Sequence, residues 1–254
     1  MPLKILLIGG TGAPKKSQFY YQPIIDVALE HVDIVDFEAI FLLGFGNMSS
    51  SAAVIGKKYF SGGSDKFVVI GHSQGAILAT LLAIDHPERV LAVISLAGPF
   101  SGTTWTDPLN MPIRGFVELV NLLTAGRIRL KPVLRQQVLP VLPIISDLRA
   151  HSEVCDKVLD FLKLQESGHE THAIIGSSDM LISPRRSANP NGKMVTNYIA
   201  TGQKDFARLR GTIPPSIKHI NSRVGHISIV SDSAVLLQIS EIIAMHKTAL
   251  NTQD

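Results

Sequence analysis

The chain has 254 residues, of which 45% are hydrophobic and 18% are charged, with a formal net charge of +3 and a mean hydropathy of +0.23. A chain of this length and apolar content can bury one large core, which excludes a disordered protein and predicts a globular one. Because Cys155 is the only cysteine, an internal disulfide and a cysteine-based metal site are both excluded.

The chain begins with a predicted buried strand over residues 4–8. Its apolar run is shorter than the core of a signal peptide, which favours a cytoplasmic location, or a secreted one if the chain is a trimmed mature form. No stretch of 18 or more apolar residues predicts a transmembrane segment. The following loop, GGTGAP at residues 9–14, does not match the G-x-G-x-x-G pattern of dinucleotide-binding proteins.

Alternating helices and strands follow this loop. The pattern predicts a helix over residues 22–31, a short strand within 34–43, and a helix that begins after N-cap serines at 49–51 and runs to about Phe60. A turn at 61–65 leads into the apolar run at 67–70. A further buried strand is predicted over residues 90–96. This order predicts a doubly wound, mostly parallel sheet.

The segment at residues 67–77 carries the strongest chemical signal. A β-branched strand ends at Gly71, a single serine follows at Ser73, Gly75 comes two places later, and an Ala/Leu-rich helix runs to Asp85. This is G-x-S-x-G between a strand and a helix, the context in which the serine hydroxyl is exposed at the end of a sheet. A serine that merely caps a helix is the bland alternative. The context favours Ser73 as a nucleophile.

The alternation of helices and strands stops after residue 96. Roughly seventy residues separate that strand from the next one, at 172–175, whereas such connections usually take about two to six residues. Helical spacing of apolar residues at 113–125 and 154–164 predicts an inserted helical cap. The predicted organisation is therefore a core formed by residues 1–102 and 166–254, with a cap at 103–165.

The predicted cap is markedly basic. Between residues 111 and 150 it contains six arginines and lysines against two acids, Glu118 and Asp147. A solvated basic face and a functional surface are equally consistent with this charge. The functional interpretation is an apolar, basic lid over an acyl pocket that contacts an anionic lipid surface.

Two later residues complete a possible catalytic triad with Ser73. Asp179 lies on the loop that leaves the 172–175 strand, and His226 follows a last predicted strand near residues 216–220. A serine hydroxyl needs a base to remove its proton, and a buried carboxylate fixes the tautomer of that base. His219 is the competing base and Asp107 the alternative acid. Residues 187–206 are expected to form a polar excursion, and residues 231–245 a closing helix.

The chain resembles the α/β-hydrolase superfamily, and more narrowly bacterial triacylglycerol lipases and esterases. The resemblance rests on five features: GHSQG at 71–75, DHPERV at 85–90, LAGPFSGT at 96–103, Asp179 with Pro184, and Gly225 with His226. It implies that Ser73 is the nucleophile, Asp179 the residue that orients the base, and His226 the base.

The resemblance also implies an oxyanion hole formed by the backbone N–H groups of Thr11 and Gln74. Such lipases usually carry His-Gly before the first oxyanion residue, whereas this chain has Gly9 and Gly10. The second donor is therefore either Thr11 or Gly10.

The favoured function is hydrolysis of carboxylic esters that carry an apolar acyl chain. Thioester hydrolysis or acyl transfer would use the same residues. A ligand-binding protein on a hydrolase scaffold is the alternative from another class. No cofactor and no metal are expected, and the expected partner is a small ester or lipid, with no nucleic acid.

Overall fold

The described residues form one parallel sheet of seven strands. The computed structural model describes residues 2–10, 18–39, 47–103, 147–164, 169–179, 182, 192–209 and 216–252. The strands are β1 (Leu3–Ile8), β2 (Val35–Glu38), β3 (Lys66–His72), β4 (Val90–Leu96), β5 (Glu170–Gly176), β6 (Val195–Thr201) and β7 (Lys218–Asn221). Every neighbouring pair is parallel, in agreement with the fold class predicted from the sequence.

The strand order is β2-β1-β3-β4-β5-β6-β7. The chain therefore moves outward from β1 to β2 and then returns to the other side of β1 as β3. In open parallel sheets, binding sites lie beyond the carboxyl ends of the strands at such a reversal. The loop after β1 and the turn after β3, which carries Ser73, meet at this position.

Helices cover both faces of the sheet. They are α1 (Gln18–Leu29), α2 (Met48–Phe60), α3 (Gln74–Asp85), α4 (Glu153–Leu164), α5 (Gln203–Leu209) and α6 (Ser233–Asn251). One apolar cluster joins α2, α3 and α4 to alternate strand residues such as Leu6 and Ile8, and the other joins α1 and α6 to Ile5 and Leu7. The two clusters follow from the two-residue repeat of the strands.

Most elements lie where the sequence predicts them, with shifted ends. Helix α1 begins at Gln18 rather than residue 22, and β2 occupies part of the predicted 34–43 segment. The N-cap of α2 is Asn47, whose side chain accepts a hydrogen bond from the Ser50 N–H, and not one of the serines. An asparagine at this position satisfies the free amides of the first turn as well as a serine does.

The prediction that residues 187–206 form a polar loop is wrong for the second half of this segment. Strand β6 occupies Val195–Thr201, and α5 follows at Gln203–Leu209. Polar residues at 196, 197 and 201 hide the strand pattern, yet Asn197 and Thr201 are buried in the sheet. Tertiary packing against β5 and β7 determines this strand, since its local composition is unfavourable.

Within the predicted cap, the structure describes Thr103 and residues 147–164. Helix α4 confirms the helix predicted at 154–164, and its residues Val154, Val158 and Leu162 belong to the same apolar cluster as α3. The helix predicted at 113–125 lies outside the described residues, and the cap boundaries stay a prediction. Among the described helices, none has the length and apolar character needed to cross a membrane.

Candidate active site

Ser73 occupies a strained turn between β3 and α3. Its backbone dihedrals, φ 55° and ψ −123°, place a residue that carries a Cβ in a region that L-residues rarely adopt. The Ser73 N–H donates to the Leu96 carbonyl at 2.8 Å, which fixes the turn against the end of β4. This conformation is the one expected for the serine of a G-x-S-x-G turn, because it exposes the hydroxyl.

Gly71 and Gly75 allow the close packing that holds this turn. A Cβ on Gly71 would lie 2.3 Å from the Gly75 carbonyl oxygen, and one on Gly75 would lie 2.3 Å from the carbonyl oxygen of Ile8. Real Cβ atoms do not approach backbone atoms so closely, so both positions require glycine. The first turn of α3 therefore lies directly against the end of β1.

Asp179 and His226 form a buried hydrogen-bonded pair. The Nδ1 atom of His226 lies 2.8 Å from Oδ2 of Asp179, and their side chains are 8% and 2% exposed. The other carboxylate oxygen accepts the Ile182 N–H at 2.7 Å. A proton on Nδ1 makes this contact a donation to the carboxylate, which leaves Nε2 of His226 as the basic nitrogen.

The two loops that carry this pair are packed together. The Ser178 N–H donates to the Val224 carbonyl at 3.0 Å. A Cβ on Gly176 would lie 2.4 Å from that same carbonyl oxygen, so the end of β5 lies in close contact with the loop after β7. The acid and the histidine are therefore held at a fixed separation by backbone contacts as well as by their own hydrogen bond.

A second hydrogen-bonded chain, which we call the Tyr21 relay, joins Gly10, Tyr21, His72 and the His226 carbonyl. The Gly10 N–H donates to the Tyr21 hydroxyl at 2.8 Å, and that hydroxyl lies 2.9 Å from Nδ1 of His72. The other ring nitrogen, Nε2 of His72, lies 2.9 Å from the carbonyl oxygen of His226. Since a carbonyl only accepts, Nε2 carries the proton and Nδ1 accepts from the tyrosine.

Burial sets the charge states in the Tyr21 relay. It lowers the pKa of His72 to about 3, with a further contribution from the neighbouring His226. It also raises the pKa of Tyr21 to about 12. Both side chains are therefore neutral near pH 7, which is the state that the hydrogen-bond directions require.

The sequence did not indicate the roles of Tyr20, Tyr21 or His72. The hydroxyl of Tyr20 donates to the carbonyl of Ile227, so both tyrosines of α1 are connected to the His226 loop, Tyr21 through His72. A buried tyrosine usually has a hydrogen-bond partner for its hydroxyl, so the two tyrosines indicate that partners exist. The sequence does not identify those partners, because they lie far from the tyrosines along the chain.

The predicted oxyanion donors are described in part. Gln74 is fully buried and is the first residue of α3, so its backbone N–H belongs to the N-terminal turn of that helix. The Gly10 N–H already donates to Tyr21, which favours Thr11 over Gly10 as the second donor. Thr11 lies outside the described residues, so its role stays a prediction.

The alternative residues fit the site less well. Nε2 of His219 lies 2.8 Å from the Thr201 carbonyl oxygen, and its ring stacks on Phe206 with a centroid separation of 4.0 Å. The His72 and His226 ring centroids are 5.0 Å apart, so His226 lies beside the residue that precedes Ser73. The ring of His226 is bonded to Asp179, and within the described residues no hydrogen bond joins it to the Ser73 hydroxyl. Asp107, the alternative acid, lies outside the described residues.

Comparison with known proteins agrees with this architecture. The family model described as alpha/beta hydrolase fold matches residues 61–124, which include β3, the Ser73 turn and α3. A comparison with curated protein sequences gives no match.

Several solved structures share the fold. A lipase of Bacillus licheniformis, BlEst2, aligns with a TM-score of 0.56 and 13% identity over 95% of this chain and 91% of its own. A structure from a study of carboxylesterases of Nitrososphaera gargenis aligns with a TM-score of 0.56 and 15% identity, over 98% of this chain and 92% of its own. The RedJ thioesterase of Streptomyces coelicolor aligns with a TM-score of 0.52 and 14% identity, over 95% of this chain and 85% of its own. At these identities the likeness shows the fold alone.

Proposed function

We propose that the chain, whose residues 61–124 match the family model described as alpha/beta hydrolase fold, is a serine carboxylester hydrolase that forms an acyl-enzyme on Ser73. One observation carries this proposal: the ring of His226, in a buried pair with Asp179, lies beside His72, the residue that precedes a half-buried serine in a strained turn. A buried carboxylate that orients a histidine next to a serine is the arrangement that activates a hydroxyl for acyl transfer.

In the first half of the reaction, Nε2 of His226 takes the proton of the Ser73 hydroxyl while Oγ attacks the ester carbonyl carbon. The carbonyl becomes a tetrahedral oxyanion, which accepts hydrogen bonds from the N–H groups of Gln74 and Thr11. When the bond to the alcohol oxygen breaks, His226 returns its proton to that oxygen. The alcohol leaves, and the acyl group remains on Ser73.

In the second half, a water molecule attacks the acyl carbon and gives one proton to His226. The resulting intermediate collapses, the carboxylic acid leaves, and Ser73 regains its proton from His226. The Asp179 carboxylate stabilises the charged imidazole at both steps. His72 remains neutral, so it does not compete with His226 for the proton.

Thioester hydrolysis or acyl transfer is the second candidate, because the same residues would attack a thioester, and the fold is shared with the RedJ thioesterase. The apolar, basic cap supports an apolar acyl chain and peripheral contact with an anionic lipid surface. A ligand-binding protein on this scaffold would retain the triad without rapid turnover.

The test is a series of p-nitrophenyl esters and acyl thioesters of graded chain length, assayed with the natural chain, Ser73→Ala and the control Ser64→Ala. We expect Ser73→Ala to lose about 10³-fold or more in kcat with an unchanged circular dichroism spectrum, because it removes the atom that carries the acyl group. Ser64 lies in an exposed turn, and its variant should match the natural chain. A Ser73→Ala variant that kept a tenth of the natural activity would show that Ser73 is not the nucleophile.

Labelling of Ser73 without turnover of any ester or thioester would instead support the ligand-binding alternative. Faster turnover of thioesters than of the matching esters would favour the second candidate. The two outcomes differ in whether product accumulates beyond one equivalent of protein.

A further inference from the structure

A second cluster of chemically active side chains lies at the opposite end of β5 from Asp179. Glu170 and His172 are alternate residues at the start of this strand, so they share one face of the sheet. His246 on α6 packs against that face. The helix and the strand therefore bring three possible metal ligands together far from Ser73 along the strands.

The potential ligand atoms converge. Nε2 of His172 lies 3.2 Å from Nε2 of His246 and 3.4 Å from Oε2 of Glu170, and Nε2 of His246 lies 3.9 Å from the same oxygen. Ligand atoms in a tetrahedral zinc site, with bonds of about 2.0–2.1 Å, are separated by about 3.4 Å. The cluster reproduces two of these separations closely and requires a movement of a few tenths of an ångström in the third.

The two histidines present their Nε2 atoms to each other and to the Glu170 carboxylate. An imidazole binds a metal through the lone pair of such a ring nitrogen. Lys218 is the cation that acts on His172, and the carboxylate of Glu170 supplies the opposing charge.

The rings of His172 and His246 can form only one hydrogen bond with each other. When their Nε2 atoms face each other at 3.2 Å, only one can carry a proton, and the pair makes a single hydrogen bond. Coordination through Nε2 would place the proton of His172 on Nδ1, which is buried without a partner among the described residues, so this nitrogen gains nothing from the ion. A cation would replace that single bond with a coordination bond to each ring.

We propose that Glu170, His172 and His246 bind a divalent transition-metal cation of the zinc class, with water in the fourth position. Two imidazoles and one carboxylate suit zinc better than magnesium or calcium, which prefer sets of oxygen ligands. The Glu170 side chain is 41% exposed, which gives the ion a route from solvent. The bound ion would connect β5 to the C-terminal half of α6 and stabilise the fold.

The test uses the full chain, treated with a chelator and then freed of it. Zinc chloride binding is followed by titration calorimetry, and cobalt(II) binding by the visible absorption of tetrahedral cobalt. We expect a zinc-dependent rise in Tm for the natural chain, and a Kd at least about tenfold higher for Glu170→Gln. The control is Glu241→Gln, which removes an exposed carboxylate of α6 outside the cluster and should leave the Kd unchanged.

His246→Asn should also abolish the tetrahedral cobalt spectrum. If that variant does not fold, Glu170→Gln alone decides the question, because its side chain is partly exposed and keeps its size. Equal zinc affinity in the natural chain and in Glu170→Gln would overturn the proposal, as would no zinc binding by the natural chain. Ester hydrolysis is measured separately, so failure of the metal site leaves the role of Ser73 untouched.

Discussion

Nε2 of His72 donates a hydrogen bond of 2.9 Å to the carbonyl oxygen of His226. The residue before the proposed nucleophile therefore holds the loop that carries the proposed base. Tyr21 fixes the other side of the same ring and also accepts the Gly10 N–H. One tyrosine hydroxyl thus connects the loop after β1, the Ser73 turn and the loop after β7.

We expect Tyr21→Phe to lower kcat by about tenfold or more with a smaller change in KM, because small displacements of catalytic groups affect the chemical step most. It should also destabilise the fold by about 1–3 kcal/mol, since the Gly10 N–H and His72 Nδ1 lose a buried partner. Tyr59→Phe is the comparison, because its hydroxyl donates to the Glu38 carboxylate and takes no part in the Tyr21 relay. Equal kcat in both variants, measured at a temperature where both are folded, would contradict a positioning role.

His226→Ala should approach Ser73→Ala in severity. The double variant Ser73→Ala/His226→Ala should be hardly worse than either single one, because members of a triad act as a unit. His219→Ala serves as the comparison, since that ring is stacked on Phe206. If His219→Ala were the more damaging of the two in a folded protein, the base would be wrongly assigned. The measurement is kcat/KM on one ester.

Gly75→Ala should destabilise the chain by about 1–3 kcal/mol or more, because its Cβ would meet the backbone oxygen of Ile8 at 2.3 Å. The matched control is Gly62→Ala, where a Cβ meets nothing within 4 Å. Urea unfolding gives both free energies. If Gly75→Ala were as stable as Gly62→Ala, the backbone at the end of β1 would be able to move away from the added Cβ at little cost in stability.

Acid should destabilise the fold through its buried histidines. His72 and His172 each have a folded pKa of about 3, whereas an unfolded histidine binds a proton near pH 6.5. The unfolded state therefore gains protons first, and stability present above about pH 6.5 is lost as the pH falls toward 3. Each such histidine adds about 1.4 kcal/mol per pH unit to the slope within this window.

His172→Gln should reduce that slope, whatever its effect on the absolute stability. The measurement is the free energy of unfolding by urea between pH 4 and 6 in the presence of a chelator, which keeps metal binding out of the comparison. An unchanged slope would mean that His172 is protonated in the folded protein.

The Ser73 turn was predictable because its signal is local. Gly71, Ser73 and Gly75 lie within a few positions of each other at the end of a β-branched strand. The contact that requires Gly71 lies within the turn, whereas the one that requires Gly75 is made with Ile8 of β1. Six of the seven strands in the described sheet were predicted, most of them because they contain apolar runs. Strand β6 was missed because its buried residues include Asn197, whose burial depends on neighbouring strands rather than on its own composition.

The Tyr21 relay could not be predicted because it depends on the assembled sheet. Tyr21 and His72 are 51 residues apart, and His72 and His226 are 154 apart. The same holds for Glu170, His172 and His246, which match no spacing pattern for metal ligands. The sequence led us to expect no metal, whereas the folded arrangement motivates the zinc proposal.

Helix α3 has no polar side. Residues 74–83 are all buried, because β3 and β4 lie beneath the helix while α2 and α4 flank it. A helix of this kind tolerates few substitutions on any face, since each one changes the volume of a packed interior. Laboratory evolution for new substrates should therefore accumulate its changes in the loops around the Ser73 turn and leave residues 74–83 largely unchanged.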